Sequence, residues 1–228
     1  MDTQLVRDPR SCLPPERPVL WLPPVTHPAR FAVGRLTTDR LAEILVACAE
    51  EVAPPIVVTH RCEPAFADLA WPVLREAGAR VFLSVHPGLV GQRPSRGRWG
   101  HSSAHLSWAQ VSGMVDEGLE IAVGGFSGVS PTDRTPEVAS TELLGARQEV
   151  LRRTGRAPDV VALAQEWVPE SVVGLLHRLG FHHVVRRGGR GLRTDLHTAV
   201  VLRPFESKRS LLRRLRSRGA IQRATASA

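Results

Sequence analysis

A chain of 228 residues, 43% hydrophobic and 23% charged, has the size and composition of one globular domain with a sizeable core. Its apolar runs, such as Ile56 to Val58 and Val81 to Val85, are strand-sized and far short of the roughly 20 residues of a membrane-spanning helix. The net charge of +8 is concentrated: residues 207–228 hold Lys208, Arg209, Arg213, Arg214, Arg216, Arg218 and Arg223 with no acid, leaving +1 for residues 1–206, so the high pI does not point to a nucleic-acid-binding core.

Residues 1–17 read as a Pro-rich, mobile leader without the basic start and apolar stretch of a secretory signal. Cys12, Cys48 and Cys62 are odd in number and unrelated in spacing, which suits reduced thiols rather than a disulfide framework. Both features predict a cytoplasmic protein, with the basic tail allowing a position at the inner membrane face.

Pro18 to Leu22 is a short strand stopped by Pro23-Pro24, and Thr38 caps a helix carrying Leu41, Ile44, Leu45 and Cys48 at helical spacing. Pro54-Pro55 ends that helix, Ile56 to Thr59 is a buried strand, and Phe66 to Ala77 is a helix closed by Gly78. Val81 to Val85 is the next strand. The Gly/Pro/Ser/Arg-rich stretch Pro87 to Ser107 is a long loop. Ser107 and Gln110 form a capping box for a helix through Val115, followed by a strand Glu120 to Val123 and a glycine-rich loop Gly124 to Pro131. A helix from about Ser140 to Arg153 ends at Gly155, Val160 to Leu163 is a strand, and Pro169 opens a helix to Leu179. Val184-Val185 and Ala199 to Leu202 complete the strands. Strand and helix alternate, which predicts an α/β fold of mostly parallel strands with helical crossovers, its chemistry at the strand C-terminal ends.

In order, these segments resemble the polysaccharide deacetylases, the NodB-homology domain of carbohydrate esterase family 4, over roughly residues 18 to 205. Pro18-Val-Leu-Trp-Leu-Pro resembles the family's opening P-V-L-x-Y-H. Asp68, Pro72 and Leu74 fall in its D…P-x-L…G helix, and Val81-Phe-Leu-Ser-Val-His-Pro-Gly stands for A-T-F-F-V-x-P-G. Ser107-Trp-Ala-Gln-Val…Gly118-Leu-Glu-Ile resembles T-W-x-Q-L…G-H-E-I. The resemblance implies an irregular (β/α) barrel, between the leader and the basic tail at 207–228.

The family cleaves N-acetyl groups of amino sugars with a divalent metal held by one Asp and two His, and a second Asp as base. Here T-F-D-D-G is matched by Thr59-His60-Arg61-Cys62-Glu63, S-H-T-x-x-H by Val123-Gly124-Gly125-Phe126-Ser127-Gly128, and Y-P-Y-G by Leu163-Ala164-Gln165-Glu166, while Pro23 stands at the opening His. Glycine has no donor, so the expectation is no metal, no cofactor and no deacetylation by the family mechanism.

The residues left at the strand ends offer other chemistry. His60, Cys62, Glu63, His86 and Glu166 are the catalytic candidates: imidazoles and carboxylates for metal-free proton transfer, and a thiol that a neighbouring imidazole could activate. Gly124, Gly125 and Gly128 could open space and present backbone N–H groups to a ligand, with Trp167 and Arg186 as further binding residues. The competing reading of each is an ordinary loop residue in a dead site. His101 and His105 are four apart but precede the Ser107 cap, so they are read as loop rather than as a metal pair. Of His182-His183, one at most faces the interior. Arg186-Arg187-Gly-Gly-Arg190 is read as an anion-binding turn or a solvated run.

The leading expectation is therefore a deacetylase-like barrel without the metal, binding a sugar-like or other polar small molecule or acting as an accessory subunit. The alternatives are a metal-independent isomerase, cyclase or hydrolase at a rebuilt mouth, and a scaffold working through its tail. Leu211, Leu212 and Leu215 among arginines would, as a helix, suit an anionic membrane or acidic partner; a solvated, unstructured tail is the expectation.

Overall fold

The computed structural model describes residues 13, 17–26, 36–60, 62–92, 104–188, 197–203 and 205–226, with side chains described as far as Ser217. Among the described residues, nine strands and six α-helices follow in chain order: β1 (Val19–Trp21), β2 (Val25–Thr26), β3 (Leu36–Thr37), α1 (Thr38–Glu51), β4 (Ile56–Thr59), α2 (Trp71–Glu76), β5 (Arg80–Val85), α3 (Trp108–Asp116), β6 (Glu120–Val123), α4 (Pro136–Thr154), β7 (Val160–Leu163), α5 (Glu170–Arg178), β8 (His183–Arg187), β9 (His197–Val201) and α6 (Lys208–Ala226). Seven of the strands close a barrel in the order β1-β4-β5-β6-β7-β8-β9, every pair parallel, with β9 returning to β1 through Leu20 opposite Val200. β2 and β3 form a separate parallel pair. Among the described residues, no helix is long and apolar enough to cross a membrane.

Continuous apolar runs become barrel strands because both faces are covered. Alternate residues go to two different cores. Val19, Trp21, Ile56, Val58, Phe82, Ala122, Val160, Ala162, Val185 and Ala199 form a cluster made almost wholly of strand residues, which is the barrel lumen. Leu20, Val57, Leu83, Val123, Val161, Val184 and Val200 join the helix residues Leu41, Ile44, Val111, Leu143 and Leu176 in the outer layer. Leu13, 2% exposed, also belongs to the lumen cluster, so the leader read as mobile contributes to the core.

Local chemistry sets the helix ends, with several boundaries differing from expectation. The cap of α1 is Thr37, not Thr38: its hydroxyl accepts from the Arg40 amide at 3.2 Å. α4 begins at Pro136, four residues before the expected Ser140, because Thr135 caps it and proline suits a first turn that needs no donor; it ends at Gly155 in the left-handed conformation (φ +70°). The helix expected from Phe66 opens instead with a π-helical turn, Phe66–Ala70, ahead of Pro72, which has no N–H to continue the ladder. The Ser107–Gln110 capping box is present as expected.

The largest correction is at the C-terminus. The segment read as a solvated tail is helical, and Leu211, Leu212 and Leu215 are only 2%, 5% and 3% exposed where α6 packs beside α1. Arg214 turns inward to Glu206 and donates to the Val201 carbonyl at 3.0 Å, and Lys208 and Arg216 each reach Glu51 at 3.1 Å. The apolar spacing visible in the sequence thus serves the protein's own core.

Candidate functional site

Parallel closure brings the C-terminal ends of β4, β5, β6, β7 and β8 to one rim, where most of the candidate residues lie. His60 directly follows β4 in phase with the lumen residues Ile56 and Val58, and its ring lies against Trp21, with centroids 5.5 Å apart. His86 follows β5 in phase with Phe82 and Ser84. Its Nδ1 is 3.2 Å from the Gly125 carbonyl, so Nδ1 carries the proton and Nε2 is left as the acceptor. Burial holds the His86 pKa below the ordinary histidine value, against the Gly125 hydrogen bond, so the ring is neutral at pH 7.

The glycines of the loop after β6 fit this histidine closely. A methyl on Gly124 would stand 2.7 Å from His86 Cε1 and 3.1 Å from the Ala162 carbonyl. Gly125 adopts φ +126°, which aims its carbonyl at the imidazole, and a methyl on Gly128 would meet Leu89 at 2.7 Å. The space that glycine leaves is therefore taken by the protein's own side chains. The N–H groups of Phe126 and Ser127 donate to Glu142 Oε2 at 2.9 and 2.7 Å, and the Ser127 hydroxyl donates to the same oxygen at 2.9 Å. Partial burial alone would raise the Glu142 pKa, but these hydrogen bonds outweigh it and hold the carboxyl below the usual range.

Cys62 is 7% exposed; burial pushes its thiol up to about 12, so it is protonated at neutral pH and not a ready nucleophile. Glu63 borders a crevice with Leu22, Pro23, Pro24 and Thr59 that encloses about 10 Å³, the room of one water. Glu166 and Trp167 follow β7 and stand in solvent, Trp167 at 72% exposure, and Glu166 Oε1 lies 3.9 Å from where a methyl on Gly188 would be.

Arg186 differs from the other candidates. It is 3% exposed and in phase with Val184 on the outer face of β8, where Nε donates to Thr198 at 2.9 Å and one terminal nitrogen to the Glu166 carbonyl at 3.0 Å. It therefore braces β8, β9 and the segment carrying Glu166 and Trp167. Its neighbour Arg187 is exposed; Arg190, like His101, lies outside the described residues, while His105 is partly exposed with its amide donating to the Gln92 carbonyl at 3.2 Å. Among the described residues, no three His, Cys, Asp or Glu side chains group as metal ligands.

Two lumen residues escaped the sequence reading. Trp21 Nε1 and Ser84 Oγ are buried without a hydrogen-bond partner among the described residues. Ser84 stands two residues before His86 on the same face, so strict alternation along β5 was the signal that could have found it. Buried unsatisfied polar atoms each cost about 1–3 kcal/mol and call for a water or ligand group.

No family model matches the sequence, and no curated protein matches it. Solved structures do match the fold. The deacetylase PplD of Streptococcus pyogenes, in complex with acetate, aligns with TM-score 0.71 and 15% identity over 87% of this chain and 97% of its own. IcaB from Ammonifex degensii aligns with TM-score 0.66 and 14% identity over 86% and 96%. The BpsB deacetylase domain from Bordetella bronchiseptica aligns with TM-score 0.62 and 11% identity over 82% and 95%. With its closed all-parallel seven-stranded barrel and flanking helices, the chain has the NodB-like fold of the polysaccharide deacetylases.

Proposed function

We propose that this protein binds a carbohydrate at the barrel mouth and does so without the metal ion of the deacetylases. The observation that carries the reading is Trp167: an indole at 72% exposure on the strand-end rim, next to the Glu166 carboxylate and held there by buried Arg186. Leaving so much apolar surface in water is costly unless a partner covers it, and a flat aromatic face beside a carboxylate suits a pyranose ring and its hydroxyls. The residues at the mouth do not fit the Asp-His-His ion, since Gly124 and Gly128, at the positions of the two histidines, bring no donor, His86 alone offers a single ring nitrogen, and no metal-binding trio occurs among the described residues.

Calorimetric titration with soluble N-acetylglucosamine oligosaccharides tests the reading. Burying half of an indole face contributes about 1–2 kcal/mol, so Trp167→Ala should weaken binding roughly fivefold to thirtyfold without altering the melting temperature. Equal affinity of the wild type and Trp167→Ala, or no binding of any oligosaccharide, overturns it.

A second reading rests on His86, whose fixed tautomer presents a neutral Nε2 as an acceptor. That geometry suits a general base in metal-free chemistry on the bound sugar. Mass spectrometry of oligosaccharide incubated with the wild type and with His86→Ala distinguishes the two: products formed only by the wild type favour catalysis, and unchanged sugar with both favours binding alone.

A further inference from the structure

α6 has used its apolar face. Leu211 and Leu215 are buried in the barrel's outer layer and Leu212 is only 5% exposed at the floor of the helix's groove, so what the helix offers to solvent is its charged side: Lys208, Arg209, Arg213 and Arg216, joined by exposed Arg203 just ahead of the helix. An open groove runs along this side, lined by those four helix cations with Ser207, Ser210, Leu212 and one acid, Glu51. Glu51 answers Lys208 and Arg216, whereas Arg209 and Arg213 have no ion-pair partner among the described residues. Glu206 does not offset the patch, because its carboxylate turns inward to Arg214 with only 6% side-chain exposure.

Two features of this surface have no account in folding. Lys208 and Arg209 occupy the first turn of α6, where no acid stands, although the helix dipole disfavours cations there. Phe205, an aromatic with no polar atom on its side chain, is 72% exposed three residues before the helix. A bare phenyl flanked by Arg203, Lys208 and Arg209 is the composition of a membrane-interface anchor, with a ring for the headgroup–acyl boundary and cations for the phosphates. α6 follows the C-terminal end of β9, so this anchor sits at the mouth end of the barrel.

We propose that the outer face of α6, with Phe205 and Arg203, is an electrostatic docking surface for an anionic phospholipid membrane. The helix adsorbs and does not insert, because its leucines are already committed to the core. Charge complementarity and the exposed phenyl together favour lipid over nucleic acid or an acidic protein: phosphate alone would explain the arginines but leave Phe205 without a role. Binding of this kind is independent of the carbohydrate site.

The test is co-sedimentation of the full chain with vesicles of phosphatidylcholine alone and of phosphatidylcholine with about one-third phosphatidylglycerol, at about 0.05 M and about 0.5 M salt. Binding is expected only to the anionic vesicles at low salt. Arg209→Glu with Arg213→Glu should weaken it roughly tenfold or more at an unchanged melting temperature, and Phe205→Ala should weaken it severalfold, while Arg156→Glu, on the exposed α4–β7 connection, leaves it intact. Equal binding to neutral vesicles, or no binding, overturns the proposal. So does tighter saturable binding of duplex DNA or poly-glutamate, or a salt-sensitive dimer in which α6 docks on a second copy.

Discussion

His183 and His197 begin β8 and β9 at the end of the barrel opposite the mouth, and they make the fold sensitive to acid. Their rings touch, with His183 Nδ1 3.3 Å from His197 Nε2, so one neutral imidazole donates to the other. Burial brings His197 down to about 4 and also lowers His183, with Asp159 opposing the shift and His182, Arg80 and His177 adding to it. Above the ordinary histidine pKa near 6.5 both states are neutral and the pair has no pH-dependent effect. Below it the unfolded chain takes up a proton that the folded chain refuses, so stability falls as pH falls, until about pH 4. At about 1.4 kcal/mol per unit, His197 alone costs about 2–3 kcal/mol between pH 6.5 and 4.5, a drop of roughly 5–10 °C in melting temperature for a domain of this size. His197→Gln keeps a polar partner for His183 and does not titrate. Thermal melts at pH 7, 5.5 and 4.5 should therefore show a shallower decline for the variant by that amount. The window isolates histidines, because a carboxylate such as Glu149, held down to about 2 by Arg152 and Arg153, loses its contribution only below its ordinary pKa near 4.5. His86 contributes in the same direction in both proteins, so the comparison cancels it. Superimposable declines for wild type and variant would refute the reasoning.

Leu215→Ala removes a side chain 3% exposed under α6 and should cost about 2–4 kcal/mol in urea unfolding; a loss below about 0.5 kcal/mol would mean that the helix is only loosely docked. Gly124→Ala places a methyl 2.7 Å from His86 Cε1 and should destabilise by about 1–3 kcal/mol, most of it recovered in the Gly124→Ala, His86→Ala double variant; additivity of the two changes would deny the contact.

The barrel was legible because its signals are local. Ile56 to Thr59 and Val160 to Leu163 are apolar runs that only a two-sided cover can bury, Ser107 and Gln110 cap α3 within four residues, and Gly155 can stop α4 in a conformation other residues resist. The two short strands β2 and β3 carry two residues each, too few for any period to show. At the rim, the identities of His60, His86 and Trp167 could be read, but not their surroundings. The glycines of the loop after β6 looked like open space, and the structure fills that space with His86, Leu89 and Glu142, the last from a helix sixteen positions downstream of Phe126.

Periodicity along the chain thus determined which residues form strands and helices, that they alternate, and so that the strands run mostly parallel; it left open whether they form a sheet or a barrel, and their closure is a property of the tertiary structure. What each polar side chain meets was decided only by tertiary structure. Arg186 and Arg187 are adjacent and chemically identical, yet the two-residue repeat of a strand sends one beneath the Glu166 carbonyl and the other into water. Leu211, Leu212 and Leu215 spell an amphipathic helix whether a membrane or the protein covers it, and the packing of α6 beside α1 selects the protein. A local pattern specifies that a face must be buried, and the long-range closure of the chain supplies what buries it.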